Sequence, residues 1–248
     1  MRIRQRADQL VFEQGLAESR EKAKSLIMAG RVARQDSVSP FKPGQLFPAG
    51  TRFMLKPGQN FVSRGAYKLL TILEAFNVNV TGLTCLDAGA STGGFTDCLL
   101  QRGAARVYAI DVGTNQLHEK LRADERVISM EQVNLRHAAP DLLPEPVDFI
   151  CADVSFISLT LILPAITQWL KPGGLVAALI KPQFELGREK APKGVVRKEE
   201  YRKEAVEKIR ALCTAELGLA ECGIVPAKIR GPKGNQEYMG LFQKPESA

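Results

Sequence analysis

Between residues 84 and 242 the sequence alternates apolar runs of strand length with segments that have helical spacing. The apolar runs fall at residues 84–88, 106–110, 127–130, 149–152, 175–180, 222–225 and 237–242. The helical segments fall at residues 95–102, 159–170 and 198–217. Alternation of this kind is typical of a mostly parallel sheet covered by helices on both faces. We therefore predict a Rossmann-like α/β domain.

The first quarter of the chain has a different pattern and a different charge. Ala7, Leu10 and Val11 have helical spacing, and Ser19 is a suitable N-cap for a second helix that ends at Gly30. Residues 1–60 hold 11 Lys and Arg against 5 Asp and Glu, whereas residues 61–248 hold 23 against 22. Positive charge concentrated in one small region indicates a polyanion-binding module. We predict domains at residues 1–58 and 63–248, joined by a linker at residues 59–62.

Composition argues against several classes of protein. The five cysteines form no C-x-x-C pair, and we expect buried free thiols in a reducing cytosol. The two histidines have no metal-ligand spacing, so we expect no metal site. No apolar stretch approaches the ~18–20 residues that span a bilayer, and no signal peptide is visible. We therefore expect a cytoplasmic protein with no membrane partner.

A glycine-rich turn follows the first strand of the second domain, and glycine there lets the backbone approach a ligand closely. It lacks the Gly-Lys-Ser/Thr end of a phosphate-binding loop, so NAD, a nucleotide and S-adenosylmethionine all remain open. The candidate cofactor-binding residues of this turn are Asp87, Gly89, Ala90, Ser91, Gly93, Gly94, Phe95 and Thr96.

Two further candidates end the next strands. Asp111 lies 22 residues beyond Gly89, where an acid can accept hydrogen bonds from ribose hydroxyls or can cap the next turn. Asn134 can contact an adenine edge or form an Asx turn. The sequence leaves both alternatives open at both positions.

Two residues of opposite charge, Asp153 and Lys181, directly follow buried apolar strands. Charge in such a position is costly unless it meets a partner or a ligand. The pair therefore indicates either a site or an ion pair that closes the sheet edge. Glu237 would lie at the same edge if the last strand is antiparallel. From its local sequence alone, Lys68 is expected to be a solvated lysine on a helix.

The aromatic residues say less about function than the charged ones do. Phe149, Phe156 and Trp169 are expected in the core rather than as platforms for base stacking. The role of Tyr67, beside Lys68, stays open.

Five segments together resemble the TlyA family of ribosomal RNA 2′-O-methyltransferases, also labelled haemolysin A, over essentially the whole chain. These segments are residues 63–69, 87–96, 152–158, 180–185 and 234–238. The resemblance implies an FtsJ-like methyltransferase domain, with its last strand antiparallel, that uses S-adenosylmethionine. It also implies methyl transfer to a ribose 2′-hydroxyl, that of a cytidine in ribosomal RNA. The implied catalytic tetrad is Lys68, Asp153, Lys181 and Glu237, with Asp153 also near the cofactor.

The N-terminal segment resembles the RNA-binding domain named after ribosomal protein S-four, through residues 15–20 and 29–32. It departs from that pattern at Arg34-Gln35-Asp36. The resemblance implies that ribosomal RNA or a ribosomal subunit is the partner, and we expect a monomer. The expected RNA-binding residues are Arg4, Arg6, Arg20, Lys24, Arg31 and Arg64.

Three other functions compete with this interpretation: a membrane-active haemolysin, a non-catalytic ribosome-binding factor and a pseudouridine synthase. The chemical role of Lys181 also has two alternatives. It can accept the hydroxyl proton if it is neutral, or it can stay charged and stabilise the developing alkoxide.

Overall fold

The computed structural model describes residues 4–28, 30–37, 39–55 and 61–246. The chain divides into two compact units, Met1–Asn60 and Phe61–Ala248. The predicted linker at residues 59–62 lies partly outside the described residues.

The first unit is a small α+β module. Its elements are β1 (Arg4–Arg6), α1 (Ala7–Glu13), α2 (Arg20–Met28), β2 (Val32–Arg34), β3 (Leu46–Pro48) and β4 (Phe53–Leu55). β1 pairs with β3 and β2 pairs with β4, both antiparallel. Both predicted helices are present, and Ser19 Oγ accepts a hydrogen bond from the Lys22 amide at 3.1 Å, so the predicted N-cap is confirmed. Leu10, Val11 and Ile27 pack with Phe47 and Phe53 to form the core.

The second unit holds a seven-stranded sheet. Its strands are β5 (Thr84–Ala88), β6 (Arg106–Ile110), β7 (Val127–Met130), β8 (Val147–Ala152), β9 (Leu170–Ile180), β10 (Ala220–Pro226) and β11 (Tyr238–Gln243). Its helices are α3 (Ala66–Ala75), α4 (Gly94–Gln101), α5 (Glu119–Arg122), α6 (Leu163–Ile166), α7 (Pro182–Glu185) and α8 (Glu199–Ala211). The predicted α/β fold is confirmed.

The order of the strands creates the crevice in which a ligand can bind. The sheet runs β10-β11-β9-β8-β5-β6-β7, with β5 between β6 on one side and β8 on the other. The five strands from β9 to β7 are parallel, whereas β11 is antiparallel to both β9 and β10. Ligands of such sheets bind outside the carboxyl ends of the strands, where the strand order reverses. In this sheet the order reverses between the neighbouring strands β5 and β8.

The central strands are apolar because both of their faces are covered. One face packs with α3 and α4 in a cluster that includes Leu73, Phe95 and Leu99. The other packs in a cluster that includes Ile150, Leu163 and Ile209. Fully buried parallel strands give continuous apolar runs rather than alternating ones, which is why these strands were visible in the sequence.

Two predicted helices are less regular than expected. The segment 159–170 is not one helix but a 3-10 turn (Leu159–Leu161), α6 and a second 3-10 turn (Thr167–Trp169). Pro164 accounts for the break, because proline lacks an amide hydrogen and clashes with the preceding helical turn. The segment 198–217 ends as an α-helix at Ala211 and continues as a π-helical turn over Leu212–Glu216.

Two predictions of burial are wrong. Phe149 and Trp169 are buried as expected, but Phe156 is 91% exposed. It lies in the loop after β8 with a φ of 66°, so no packed element holds its ring in the core. Cys222 is also exposed, because it lies on the edge strand β10, whereas the other four cysteines are buried.

Candidate active site

The glycine-rich turn leads from β5 into α4 and lies very close to neighbouring segments. Gly89 has a φ of 85°, and a Cβ there would lie 2.6 Å from the backbone oxygen of Asp153. Gly93 has a φ of 91°, and a Cβ there would lie 2.2 Å from Leu121. A larger residue at Gly89 would collide with the backbone after β8, and one at Gly93 would be strained at this φ and would displace the Leu121 side chain. The turn therefore needs glycine for its own packing.

Asp87 and Thr96 are fully buried at the base of this turn. Asp87 Oδ2 accepts hydrogen bonds from the Thr96 amide at 2.8 Å and from the Thr96 hydroxyl at 2.7 Å. Asp87 Oδ1 is buried and has no hydrogen-bond partner among the described residues. Burial raises the pKa of Asp87 to about 7, and the charge of Asp153 adds to this shift. The carboxylate is therefore short of one donor or of a nearby cation.

Asp111 has the capping role that the sequence left open, and it also lines a cavity. Its Oδ2 accepts from the Ser91 amide and its Oδ1 from the Gly113 amide, each at 2.8 Å, so it caps two turns. The residue also lines a cavity at the carboxyl ends of the strands. A carboxylate has about four lone-pair positions, so each oxygen can still accept a bond from a ligand hydroxyl.

Asn134, like Asp111, caps a turn. Its side-chain oxygen accepts from the Arg136 amide at 3.1 Å, which is the Asx-type cap. It lines the same cavity as Asp111. The cap uses one of the two lone pairs of this oxygen, so Asn134 can offer a ligand both its side-chain nitrogen and the second lone pair.

The crevice has two adjoining lobes. The first, here called the tetrad lobe, has a volume of about 540 Å³ and is lined by Lys68, Asp153, Lys181 and Glu237 among others. The second, here called the Asp111 lobe, has a volume of about 500 Å³. Both lobes are lined by Gly89, Ser91, Asp153, Ser155 and Phe156, so they meet at the glycine-rich turn.

The four tetrad residues form two ion pairs in the tetrad lobe. Asp153 and Lys181 follow the parallel strands β8 and β9, and Lys181 Nζ lies 2.5 Å from Asp153 Oδ1. Glu237 precedes the antiparallel strand β11, whose first residue pairs with Ile180, and this register places Glu237 beside the end of β9. Lys68, on α3, reaches Glu237 Oε2 at 2.6 Å. The geometry thus brings together residues from four separate segments.

Several residues that line the tetrad lobe were not selected from the sequence. Ser155 Oγ accepts from Lys181 Nζ at 2.7 Å, and Gln183 Nε2 donates to Glu237 Oε1 at 3.1 Å. The rings of Phe156 and Phe184 lie with their centroids 5.2 Å apart. All four residues lie within the conspicuous motifs around Asp153 and Lys181, which is the signal that could have identified them.

Two of the predicted RNA-binding cations surround a buried acid. Arg6 donates two hydrogen bonds to Asp8, at 3.0 and 2.8 Å, and these lower the pKa of the Asp8 carboxyl. Arg20 lies 3.5 Å from the same carboxylate. Both arginines are about half exposed, so they hold the module together and still face solvent.

The other predicted cations differ in their exposure to solvent. Lys24 lies 3.9 Å from Glu21, which is a weak surface contact. Arg4 and Arg64 are exposed and Arg31 is half-buried.

Residues 4–28, 30–37, 39–55 and 61–246, which the structure describes, contain neither a candidate metal-ion cluster nor a membrane-spanning helix. Within those residues no three His, Cys, Asp or Glu side chains are grouped to hold a metal ion. Along the same ranges, no helix has the length and apolarity needed to cross a bilayer.

Known proteins resemble this chain in both sequence and fold. Residues 61–244 match the model of the FtsJ-like methyltransferase family. The chain is 43% identical over 241 residues to the 16S/23S rRNA (cytidine-2′-O)-methyltransferase TlyA of Mycobacterium tuberculosis (strain CDC 1551 / Oshkosh), covering 96% of this chain and 89% of the relative. It is 37% identical over 238 residues to Hemolysin A of Brachyspira hyodysenteriae, covering 96% and 99%.

A solved structure from Streptococcus thermophilus, described as a hemolysin, superposes with a TM-score of 0.73 at 44% identity. The match covers 100% of this chain and 90% of that one. The resemblance to TlyA is thereby confirmed, and this chain belongs to the FtsJ-like methyltransferase family.

Proposed function

We propose that this protein transfers a methyl group from S-adenosylmethionine to the ribose 2′-hydroxyl of a cytidine in ribosomal RNA. The observation that carries the proposal is the pair of ion pairs, Lys181–Asp153 and Lys68–Glu237, lining a cavity that adjoins the glycine-rich turn. The TlyA relative is named for this reaction.

The donor set of the crevice fits S-adenosylmethionine. Asp111 would accept hydrogen bonds from the ribose hydroxyls, and the Asn134 amide would contact the adenine. Asp87 has a buried oxygen without a partner in the described part of the chain, which suits a ligand that carries an ammonium group. When bound, S-adenosylmethionine supplies a methyl group on a positively charged sulfur, which is a strong electrophile.

The residues of the tetrad lobe would orient and activate the ribose hydroxyl. A weak nucleophile that must lose a proton benefits from a fixed positive charge beside its oxygen. Lys181 Nζ lies 2.5 Å from the Asp153 carboxylate, and on this geometry we favour the alternative in which Lys181 stabilises the developing alkoxide and the proton leaves to solvent. Lys68, with Glu237 and Gln183, would hold the other side of the nucleotide.

The first unit would supply much of the affinity for RNA. We assign residues 1–58 to an S-four-like RNA-binding domain and residues 63–248 to the methyltransferase domain. Most of the net positive charge lies in the first, and exposed Arg and Lys side chains bind phosphates through charge. This function places the protein in the cytoplasm, where ribosomal RNA is.

The deciding experiment is mass spectrometry of nucleosides from ribosomal RNA incubated with S-adenosylmethionine and the purified protein. We expect one additional 2′-O-methylcytidine per target subunit, and none with the Lys181→Ala variant as control. Absence of any 2′-O-methyl nucleoside from naked RNA and from both assembled subunits would refute the proposal.

A haemolytic function is the second candidate, because one relative is named Hemolysin A. Leakage of anionic liposomes at protein concentrations that give no methylation would favour it. We expect no leakage.

A further inference from the structure

Two turns beside the tetrad lobe have the same sequence and the same unusual backbone. Residues 192–194 and 232–234 both read Pro-Lys-Gly. Lys193 and Lys233 have φ values of 55° and 58°, and the glycines that follow have 76° and 82°. A left-handed conformation at a non-glycine residue is unfavourable by about 1 kcal/mol and persists only where the surroundings fix it. Both lysines are therefore held in defined positions.

Asn235 fixes the two turns to each other. It is only 3% exposed, its Oδ1 accepts from the Val196 amide at 3.0 Å, and its Nδ2 donates to the Gly194 carbonyl at 2.8 Å. Lys233 Nζ also donates to the Lys193 carbonyl at 3.0 Å. We call this assembly the paired turns, residues 192–197 and 230–235.

The paired turns are part of the wall of the tetrad lobe. Gly194, Lys233 and Asn235 line it. A Cβ on Gly231 would lie 2.0 Å from Glu237 Oε1, so the second turn lies directly against the tetrad. A ligand held by these turns is therefore held next to the reacting groups.

Positive charge on the paired turns is exposed and unneutralised. Within the described residues, no carboxylate lies within 4.0 Å of the charged groups of Lys193, Arg197, Arg230 or Lys233. Two neighbouring lysines differ from these cations. Lys190, three residues before Lys193, pairs with Glu204, and Lys198, directly after Arg197, pairs with Glu200. The cations of the paired turns therefore lie beside the tetrad lobe without a carboxylate partner among the described residues.

We propose that the paired turns bind phosphodiester groups of the RNA backbone on either side of the target nucleotide. The inference rests on the proposed function, because it takes RNA as the substrate. Lysine ammoniums bind phosphate as point charges, and Lys233 has two N–H groups left after its bond to Lys193. The paired turns would thus set the position of the ribose in the lobe, whereas the basic first unit contributes affinity elsewhere on the RNA.

The test compares the double variant Lys193→Gln/Lys233→Gln with wild type in binding to a ribosomal RNA fragment at several salt concentrations. Each lost phosphate contact makes the slope of log affinity against log salt shallower by about 0.7–0.9. We expect a change of about 1.5 for the double variant, a raised KM for RNA and an unchanged affinity for S-adenosylmethionine. Glutamine keeps a side chain at both left-handed positions, so the backbone is perturbed little.

Two controls make the result specific. Lys193→Arg/Lys233→Arg keeps both charges and should keep the wild-type slope. Lys171→Gln/Lys203→Gln removes two charges at the start of β9 and on α8, and should also keep that slope. A wild-type slope for the glutamine variant at the paired turns, or an equal loss in the second control, would overturn the inference. Failure of the wild type to methylate any ribosomal RNA would instead refute the proposed function, since the salt slope needs no catalysis.

Discussion

The ammonium of Lys68 lies 2.6 Å from Glu237 Oε2, although 169 positions separate the two residues. Lys68 is 12% and Glu237 0% exposed, so the pair is largely removed from water. Gln183 donates to the second oxygen of Glu237, which gives that carboxylate a partner on each side. This contact joins α3 to the start of β11 and completes the tetrad.

Replacing one member of this pair should destabilise the protein. Lys68→Met leaves Glu237 buried without its counter-charge, and breaking such a pair costs about 3–5 kcal/mol. We expect a loss of that size in the free energy of unfolding, measured by urea denaturation, together with loss of methyl transfer.

The double variant Lys68→Met/Glu237→Gln separates stability from activity. With both charges removed, most of the stability should return, because the desolvation penalty is removed with the charge. Activity should stay lost. Recovery of activity in the double variant would show that the pair has only a structural role.

Lys181→Arg tests whether Lys181 acts as a cation or as a base. Arginine stays protonated at all accessible pH values, so it can stabilise an alkoxide but cannot accept a proton. We expect the variant to keep measurable activity with the wild-type pH dependence of kcat, whereas Lys181→Ala should lose it. An arginine variant as inactive as the alanine variant would favour the base.

Asp87 should make stability depend on pH in a defined direction. Its pKa in the folded protein is about 7, against an ordinary value of 3.8, so the folded state binds the proton more tightly. This contribution is fully present below pH ~4 and is lost as pH rises towards 7. The difference in free energy of unfolding between Asp87→Asn and wild type should therefore shift in favour of the variant on going from pH 4 to pH 8, by at most about 4 kcal/mol. Urea unfolding at both pH values measures the gain, and an equal difference at pH 4 and pH 8 would contradict it.

The sheet could be predicted because its central strands are continuous apolar runs that are buried on both faces. β1 and β3 were missed because each has three residues with mixed polarity, and pairing rather than composition defines them. The position of Phe156 was missed because an aromatic residue is usually buried, and only the backbone after β8 shows that this ring points outward.

Only part of the candidate site could be predicted from the sequence. Asp153 and Lys181 could be located because a charged residue directly after a buried strand is unfavourable unless it meets a partner or a ligand. Lys68 could not be located from local sequence, since its partner Glu237 is brought to it by the tertiary fold. The roles of Asp111 and Asn134 stayed open because each residue caps a turn and lines the Asp111 lobe at once.

Deleting residues 1–58 tests the division of labour between the two units. Because the positive excess lies in that segment, we expect RNA affinity to fall and its salt dependence to weaken, with S-adenosylmethionine binding intact in calorimetry. Unchanged affinity for ribosomal RNA would refute the assignment of this segment to RNA binding.

Phe156 should matter for activity and little for stability. Its ring is 91% exposed, so Phe156→Ala removes almost no buried surface and should leave the urea midpoint unchanged. The ring lines both lobes beside Phe184 and offers a flat face to the base of a bound nucleotide. Stacking of a base on an aromatic residue contributes about 1–3 kcal/mol, which corresponds to a fall in kcat/KM for RNA of roughly 5- to 150-fold. Leu161→Ala, a truncation of another partly exposed apolar residue, is the control and should keep wild-type kcat/KM. If both variants methylate RNA like wild type, the ring has no part in binding the substrate, and its left-handed backbone needs another explanation.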